Sequence, residues 1–435
     1  MNISRKASAS ALALALLASA LQGCSGGAAP PKDDAPADVK KINTDPVTLT
    51  VWASMSDELF QKLVAEPVKL KYPHISLQMV SAENKIPDLI ASGNVPDIIT
   101  DAIASIPKYQ ELNLTEELTP YVKAFNMDLG RISPVVLDTV RKASGDGKLS
   151  ALPISGNVVM MYYNKDIFDR FSVPYPKDGM TWDEVYDLAR KLTKSEGGVQ
   201  YRGFDFQDSF QFTANQLSLS VVDGAAKKAI VNNEKWKRMF ENYARFFAIP
   251  GNEVNDKTYG QGQNQFLKDK TLAMYVTSSI FSKLPEAVKG GLNFDVVTLP
   301  SFAEAPGVTT QVDGGIRFIS TTSRNKDQAF LALSAMLSDE AQKQIARNGN
   351  TSVLTDAKIM EEFGKDADVL KDRNRLGFIR NKPAPPSPSI TRFDSSAYSI
   401  VRSKFKKMVL TGTDVNTILR ETDELVNQAI ADASK

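Results

Sequence analysis

VTLTVWASMSDELFQKLVAEPVKLKYPHISLQMVSAENKIPDLIASGNVPDIIT, residues 47–100, alternates short apolar runs with longer amphipathic ones. Val47–Ala53 predicts a strand. Asp57–Lys71 predicts a helix with Asp57 and Glu58 in its first turn, where carboxylates meet the positive end of the helix dipole. Ile75–Val80 predicts a second strand, Asn84–Ser92 a second helix, and Asp97–Thr100, following Pro96, a buried third strand. A β-α-β-α-β run of this kind implies the α/β class, with a mostly parallel sheet covered by helices.

The same alternation continues downstream. Lys148–Pro153 and Val158–Asn164 read as strands, the first reached through a Gly145-Asp146-Gly147 turn. Thr181-Trp182-Asp183-Glu184 has the spacing of a capping box, and Val185, Leu188, Ala189 and Leu192 then recur at helical intervals to about Thr193. Glu234–Ala248 and Tyr259–Lys268 read as helices, Thr271–Val276 and Phe294–Leu299 as strands, and Lys326–Leu337 with Asp339–Arg347 as a helical pair. The Pro-rich stretch Lys382–Pro388 breaks regular structure before two closing helices, about Phe393–Leu410 and Thr413–Ala431. On the last helix Val415, Ile418, Leu419, Leu425, Val426 and Ala429 form one apolar stripe, read as docking on a core. No repeat of solenoid period occurs.

Upstream the chain changes character. Arg5 and Lys6 precede an uncharged Ala/Leu-rich run, Ala7–Leu21, that is too short and too rich in Ser for a membrane span and reads as an export signal. Leu21-Gln22-Gly23-Cys24 resembles the end of a bacterial lipoprotein signal, which places cleavage before Cys24 and the lipid on it. Cys24 is the only cysteine of the chain, so no disulfide framework and no thiol chemistry are expected. Residues 1–23 are thus a signal peptide and residues 24–46, rich in Gly, Ala, Pro, Asp and Lys, a flexible tether from membrane to folded body.

Composition narrows the function classes. With 52 basic and 51 acidic residues the chain has no overall field to attract nucleic acid or an anionic membrane surface, and loss of the signal removes only Arg5 and Lys6 from that balance. A single histidine, His74, excludes a two-histidine zinc site, and its place beside the strand at Ile75 suits a structural or surface role. No nucleophile elbow and no phosphate-binding glycine loop is present, and Gly260/Gly262 lacks the third glycine of a dinucleotide fingerprint. The carboxylates Glu116-Glu117 and Asp366/Asp368 have no spacing that marks a glycosidase pair, and Asn252, Glu253, Asn255 and Asp256 do not follow a calcium-loop pattern. No catalytic residue, metal or cofactor is expected.

What remains is a mixture of aromatics and short polar side chains: Trp52 before Ser54-Met55-Ser56-Asp57, the run Phe204–Gln211, and Ser278-Ser279-Ile280-Phe281. Sugars suit such a mixture, because their C–H faces stack on rings while each buried hydroxyl needs a hydrogen-bonding partner. Burial in a core is the plainer reading of Phe204, Phe206 and Phe210.

Gly147-Lys148-Leu149-Ser150-Ala151-Leu152-Pro153, Met161–Phe168 (MYYNKDIF), Val173-Pro174-Tyr175-Pro176 and Thr181-Trp182-Asp183-Glu184 with Lys191-Leu192-Thr193 together resemble the central signature of the family 1 extracellular solute-binding proteins of ABC importers. Val95–Ile99, Leu118–Tyr121, Leu272–Tyr275, Gly314-Gly315 before Ile319-Ser320, and Leu331–Ala346 agree in order. The resemblance covers Val47 to the C-terminus. It implies a periplasmic-binding-protein-like α/β fold of two discontinuous lobes joined by a hinge, 47–154 plus 312–355 and 156–309 plus 356–435, with crossings near Pro153–Asn157 and Thr309–Gly314.

Carried over position by position, it implies ligand contacts from Trp52, Ser54, Asp57, Asp101, Asn157, Asp208, Phe210, Phe281 and Tyr398. Relatives often carry Trp shortly after the Leu272–Tyr275 strand, where this chain offers only Phe281. Trp182 is expected to be structural. The expected function is an extracytoplasmic, lipid-anchored receptor, monomeric and not an enzyme, that binds a mono- or oligosaccharide and delivers it to an ABC permease. A secreted glycan-acting enzyme and a receptor for a non-sugar solute such as a peptide are the alternatives.

Overall fold

A computed structural model describes residues 39–145, 147–278 and 280–434. The signal, Cys24 and residues 25–38 of the expected tether lie outside the described residues, as does Asp146 of the expected turn. Where the tether meets the body, the Lys40 amide donates to the Ala124 carbonyl at 2.8 Å and its ammonium pairs with Asp327.

In chain order the strands are β1 (Val47–Ala53), β2 (Ile75–Ser81), β3 (Ile98–Ala102), β4 (Leu152–Ser155), β5 (Val159–Asn164), β6 (Lys194–Glu196), β7 (Val199–Phe206), β8 (Val222–Asp223), β9 (Lys228–Ala229), β10 (Leu272–Ser278), β11 (Phe294–Thr298), β12 (Val308–Gln311), β13 (Gly315–Ile319) and β14 (Lys382–Ala384). They build two five-stranded sheets, ordered β2-β1-β3-β13-β4 and β11-β5-β10-β7-β6, and two small two-stranded pairings. β1 is the strand expected, and its alternation buries Leu49, Val51 and Ala53 on one face. β4 begins at Leu152, four residues later than expected.

The sheets are mixed rather than mostly parallel. β1 runs parallel to β2 and β3, but β13 lies antiparallel to both β3 and β4. In the second sheet only β10 and β7 are parallel. The cause is topological: β13 returns from far along the chain and enters the first sheet against the direction set by its β-α-β start. The expected break at Lys382–Pro388 is also partly ordered, since β14 pairs with β12 at the edge where proline's missing donor is tolerated.

Each sheet has apolar packing of its own. Leu49, Val51, Ile98, Ile99, Ile316 and Phe318 share one cluster with the helix Lys326–Ala335. Along β5, Val159, Met161 and Tyr163 face a second cluster, while Met160 and Tyr162 face a third, so this strand is buried on both sides. Phe204 and Phe206 belong to the second cluster, the core role that is the plainer reading of the sequence. The closing helices Asp394–Thr411 and Val415–Asp432 dock there through Val401, Phe405, Ile418 and Val426, whereas Leu425 of the expected stripe points outward at 43 % exposure.

The helix Trp182–Leu192 shows how local chemistry sets an element. Thr181 Oγ1 accepts the Glu184 amide at 3.3 Å, the Glu184 carboxylate accepts the Thr181 amide at 2.7 Å, and Trp182 is buried with Nε1 donating to Gln216 Oε1 at 3.0 Å. Thr181→Ala removes one half of this reciprocal cap and is expected to lower unfolding stability by about 1 kcal/mol without changing ligand affinity, as read from urea denaturation.

Candidate functional site

In open α/β sheets, ligands gather outside the carboxyl ends of parallel strands. Ser54 follows β1, Asp101 sits near the end of β3, Asp208 and Phe210 follow β7, and Phe281 follows β10. Five of the expected residues therefore stand at the carboxyl ends of the parallel pairs β1/β3 and β7/β10.

At the end of the first sheet lies a cavity of about 280 Å³ lined by Asp101 and Asn157 together with Met55, Thr100, Ser155 and Arg317, among others. Leu63 and Val64, which also line it, belong to the π-helical stretch Gln61–Ala65 inside the expected helix. Such insertions widen a helix turn and recur at functional sites. Asp101 accepts one hydrogen bond at each oxygen: Oδ1 from the Ala102 amide and Oδ2 from the Tyr109 hydroxyl, both at 2.7 Å, which leaves one lone pair on each for a further donor.

Three segments passing between the sheets are laced together beside this cavity. Asn157 Nδ2 donates to the Asp313 carbonyl at 2.6 Å. Gly156 and Thr351 exchange backbone hydrogen bonds of 2.8 and 3.1 Å. Gly314 lies so close to the Ser155 carbonyl that any Cβ would overlap it. The Asp313 side chain is half-buried here, its Oδ1 covered and unpartnered, and desolvation, opposed by the Ala104 amide and reinforced by Asp101, pushes its carboxyl up to about 6.

At the end of the second sheet, Asp208 opens the helix Asp208–Thr213 and accepts the Tyr259 hydroxyl at 3.0 Å, with Arg402 at 3.9 Å. Burial raises the Asp208 carboxyl above its ordinary range despite both partners, and the same burial raises the Tyr259 phenol. Gln207 accepts from Thr277 at 2.6 Å, tying the ends of β7 and β10. Behind them Arg202 and Asp205 form a buried ion pair at 2.8 Å.

The chain matches, over residues 52–343, the family described as bacterial extracellular solute-binding protein. This protein belongs to that family. It is 23 % identical over 266 residues to the sn-glycerol-3-phosphate-binding periplasmic protein UgpB of Brucella melitensis, an alignment covering 56 % of this chain and 55 % of the relative. The chain thus spans about half the length of the curated relatives it matches. Among solved structures it resembles an ABC substrate-binding protein from Listeria monocytogenes in complex with cycloalternan, with TM-score 0.71, 19 % identity and coverage of 89 % of this chain and 100 % of that one. A sugar transporter from Rhizobium etli in an open conformation gives TM-score 0.72 at 19 % identity, over 87 % of this chain and 99 % of that chain. The fold is therefore periplasmic-binding-protein-like.

In this solute-binding protein the expected ligand residues do not form one group. Asp101 and Asn157 share the cavity, with Met55 of the Ser54–Asp57 loop beside them; Ser54 and Asp57 themselves are exposed. Trp52 is half-buried and spends its Nε1 on the Asn84 carbonyl at 2.8 Å. Asp208 and Phe210 stand on one short helix, Phe210 half-covered by the core. Phe281 packs on Phe363 and Phe378 and against Gly349, leaving one ring only partly free.

Tyr398 is a correction: it is 7 % exposed inside the core, its hydroxyl donating to the Leu219 carbonyl at 3.4 Å, because the closing helices dock over it. It offers no platform. Sequence reading missed Arg317, Thr100, Tyr259 and Arg402. Of these only Arg317, an arginine inside the apolar run Gly315–Ile319, carries a local signal.

The raised Asp313 carboxyl has a definite consequence. Unfolded, it titrates near about 4; folded, at about 6, so between those values the folded chain holds the extra proton and this group's contribution to stability falls as pH rises. Asp313→Asn should therefore gain in melting temperature relative to the native chain between pH 4 and pH 7, and a constant difference across that range would refute the assignment.

Proposed function

We propose that this solute-binding protein is the extracytoplasmic receptor of an ABC importer, anchored by a lipid on Cys24, that binds a mono- or oligosaccharide and delivers it unaltered to a membrane permease. The observation that carries the reading is the cavity holding Asp101 and Asn157 at the carboxyl end of the first sheet, directly beside the laced crossings between the sheets. Residues 47–154 with 312–355 form one lobe and 156–309 with 356–435 the other. The two solved relatives described above, one bound to cycloalternan and one called a sugar transporter, support the carbohydrate class.

The mechanism follows from linkage. Asp101 on one lobe, and Asp208 with Phe210 on the other, meet a sugar fully only when the lobes approach about the crossing that carries Asn157, so the ligand favours the closed arrangement by its differential affinity. Backbone rotation is confined to the few residues of the crossings. The permease then reads closure, and the chain itself makes or breaks no bond of the sugar.

Mass spectrometry of ligand retained through purification, followed by calorimetry with a panel of mono- and oligosaccharides, tests the reading. One-to-one saturable binding of an unchanged sugar is expected, with about 2.7 kcal/mol of added stability at 100 times the dissociation constant; turnover of the sugar would sink it. Cys24→Ala should abolish acylation and move the protein from the membrane to the soluble extracytoplasmic fraction, as read by fractionation and intact-mass analysis.

A further inference from the structure

Arg317 sits at the middle of β13, the inserted strand of the first sheet, and is 6 % exposed. Its Nη1 donates to the Ile316 carbonyl at 3.0 Å, its Nε has no partner, and among the described residues no carboxylate pairs with it. Burial alone pulls its pKa down to about 10, so it remains a cation at neutral pH. The same molecule shows how a structural arginine is accommodated: buried Arg202 pairs with Asp205 at 2.8 Å, Gln265 at 2.6 Å and the Asn252 carbonyl at 3.1 Å. An uncompensated buried ion costs several kcal/mol, so a neutral core has no use for Arg317 as it stands.

The surroundings of Arg317 are those of a binding pocket. Thr100 lies directly across the ladder on the same face, its Oγ1 buried and unpartnered. On the other side, a Cβ at Gly315 would stand 2.8 Å from Ser155 Oγ and 3.8 Å from Arg317 Nη1, so glycine there leaves the gap between hydroxyl and guanidinium unfilled. Arg317, Thr100, Ser155 and Gly315 all line the 280 Å³ cavity. The acid among its lining residues, Asp101, bonds the Ala102 amide and the Tyr109 hydroxyl and makes no ion pair with Arg317.

We propose that Arg317, with the hydroxyls of Thr100 and Ser155, forms a subsite for a single oxyanion, a carboxylate or phosphate carried by the ligand. The proposal rests on the cavity being the ligand site and narrows the ligand class to an acidic sugar or a phosphorylated polyol. A guanidinium fork meets such a group through two parallel charge-assisted hydrogen bonds, while the two hydroxyls serve its remaining oxygen lone pairs.

Calorimetry on the full chain with matched probes, glucuronate against glucose and glycerol 3-phosphate against glycerol, tests it and separates the two sources of the anion. At least one acidic probe should bind ten times tighter than its neutral twin. Arg317→Met, of similar length but uncharged, should bring that ratio close to one, and Arg317→Lys should restore part of it. The ligand-free Arg317→Met protein should melt no lower than the native chain, which shows it is folded. If neutral sugars bind and the acidic twins gain nothing, the receptor reading stands and the anion subsite is overturned. If none of the four probes binds, the sugar panel still decides the receptor reading, and inorganic phosphate or acetate decides the subsite: thermal protection lost in Arg317→Met supports it, and equal protection of both proteins, or protection of neither, overturns it.

Discussion

The insertion of β13 between β3 and β4 is the constraint on which the rest of the molecule depends. β13 hydrogen-bonds to both neighbours through Ile316 and Arg317, so the first sheet cannot close until the chain has built β5 to β11 and come back. That return forces an outward crossing after Ser155 and an inward one before Gly315 to lie side by side. Gly314 is where they touch, with no room for a Cβ against the Ser155 carbonyl. The cavity, the crossings and the carboxyl ends of β1 and β3 are neighbours because a single late strand brings them together.

Charge burial follows two rules in this chain. Where the role is structural the buried charge is matched: Arg202 meets Asp205, Gln265 and the Asn252 carbonyl. Beside the crossings matching fails twice, once for the guanidinium of Arg317 and once for the carboxyl of Asp313. The two lie on the same chain segment, separated by Gly314 and Gly315 and the apolar Ile316, yet they make no ion pair with each other among the described residues. Two unmatched charged groups this close together, on the segment that lines the cavity, are the physical reason to place the proposed site there.

Much of the fold was legible because its elements announce themselves locally. β1, the capping box at Thr181 and the long closing helices came from period and caps alone, within a residue or two of their observed ends. The mixed strand direction was not legible, since nothing in Gly315–Ile319 says which strands it will join. The site was legible only as positions at strand ends. Asp101 and Asn157 were reached only through the family resemblance, and Tyr398 could not be told from a core residue, since an aromatic on a helix looks the same facing a ligand or facing Leu219. The Asp208 partners, Tyr259 and Arg402, come from distant segments that only the tertiary fold brings near.

The same packing also limits how the proposed lobes can move. A hinge needs a few residues whose torsions change freely, yet each crossing here is bonded to another: Asn157 to Asp313, Gly156 to Thr351, and Gly314 against Ser155. Rotating one segment alone would break the Asn157–Asp313 hydrogen bond or drive Gly314 into the Ser155 carbonyl. Rotating all three together breaks none of these contacts. If the lobes close as proposed, the laced crossings turn as one stiff unit, and the cavity next to them changes shape less than the strand ends farther out, at Asp208 and Phe210. On that proposal the ligand's first contacts belong to the side next to the crossings, and the far side supplies the contacts that appear only on closing.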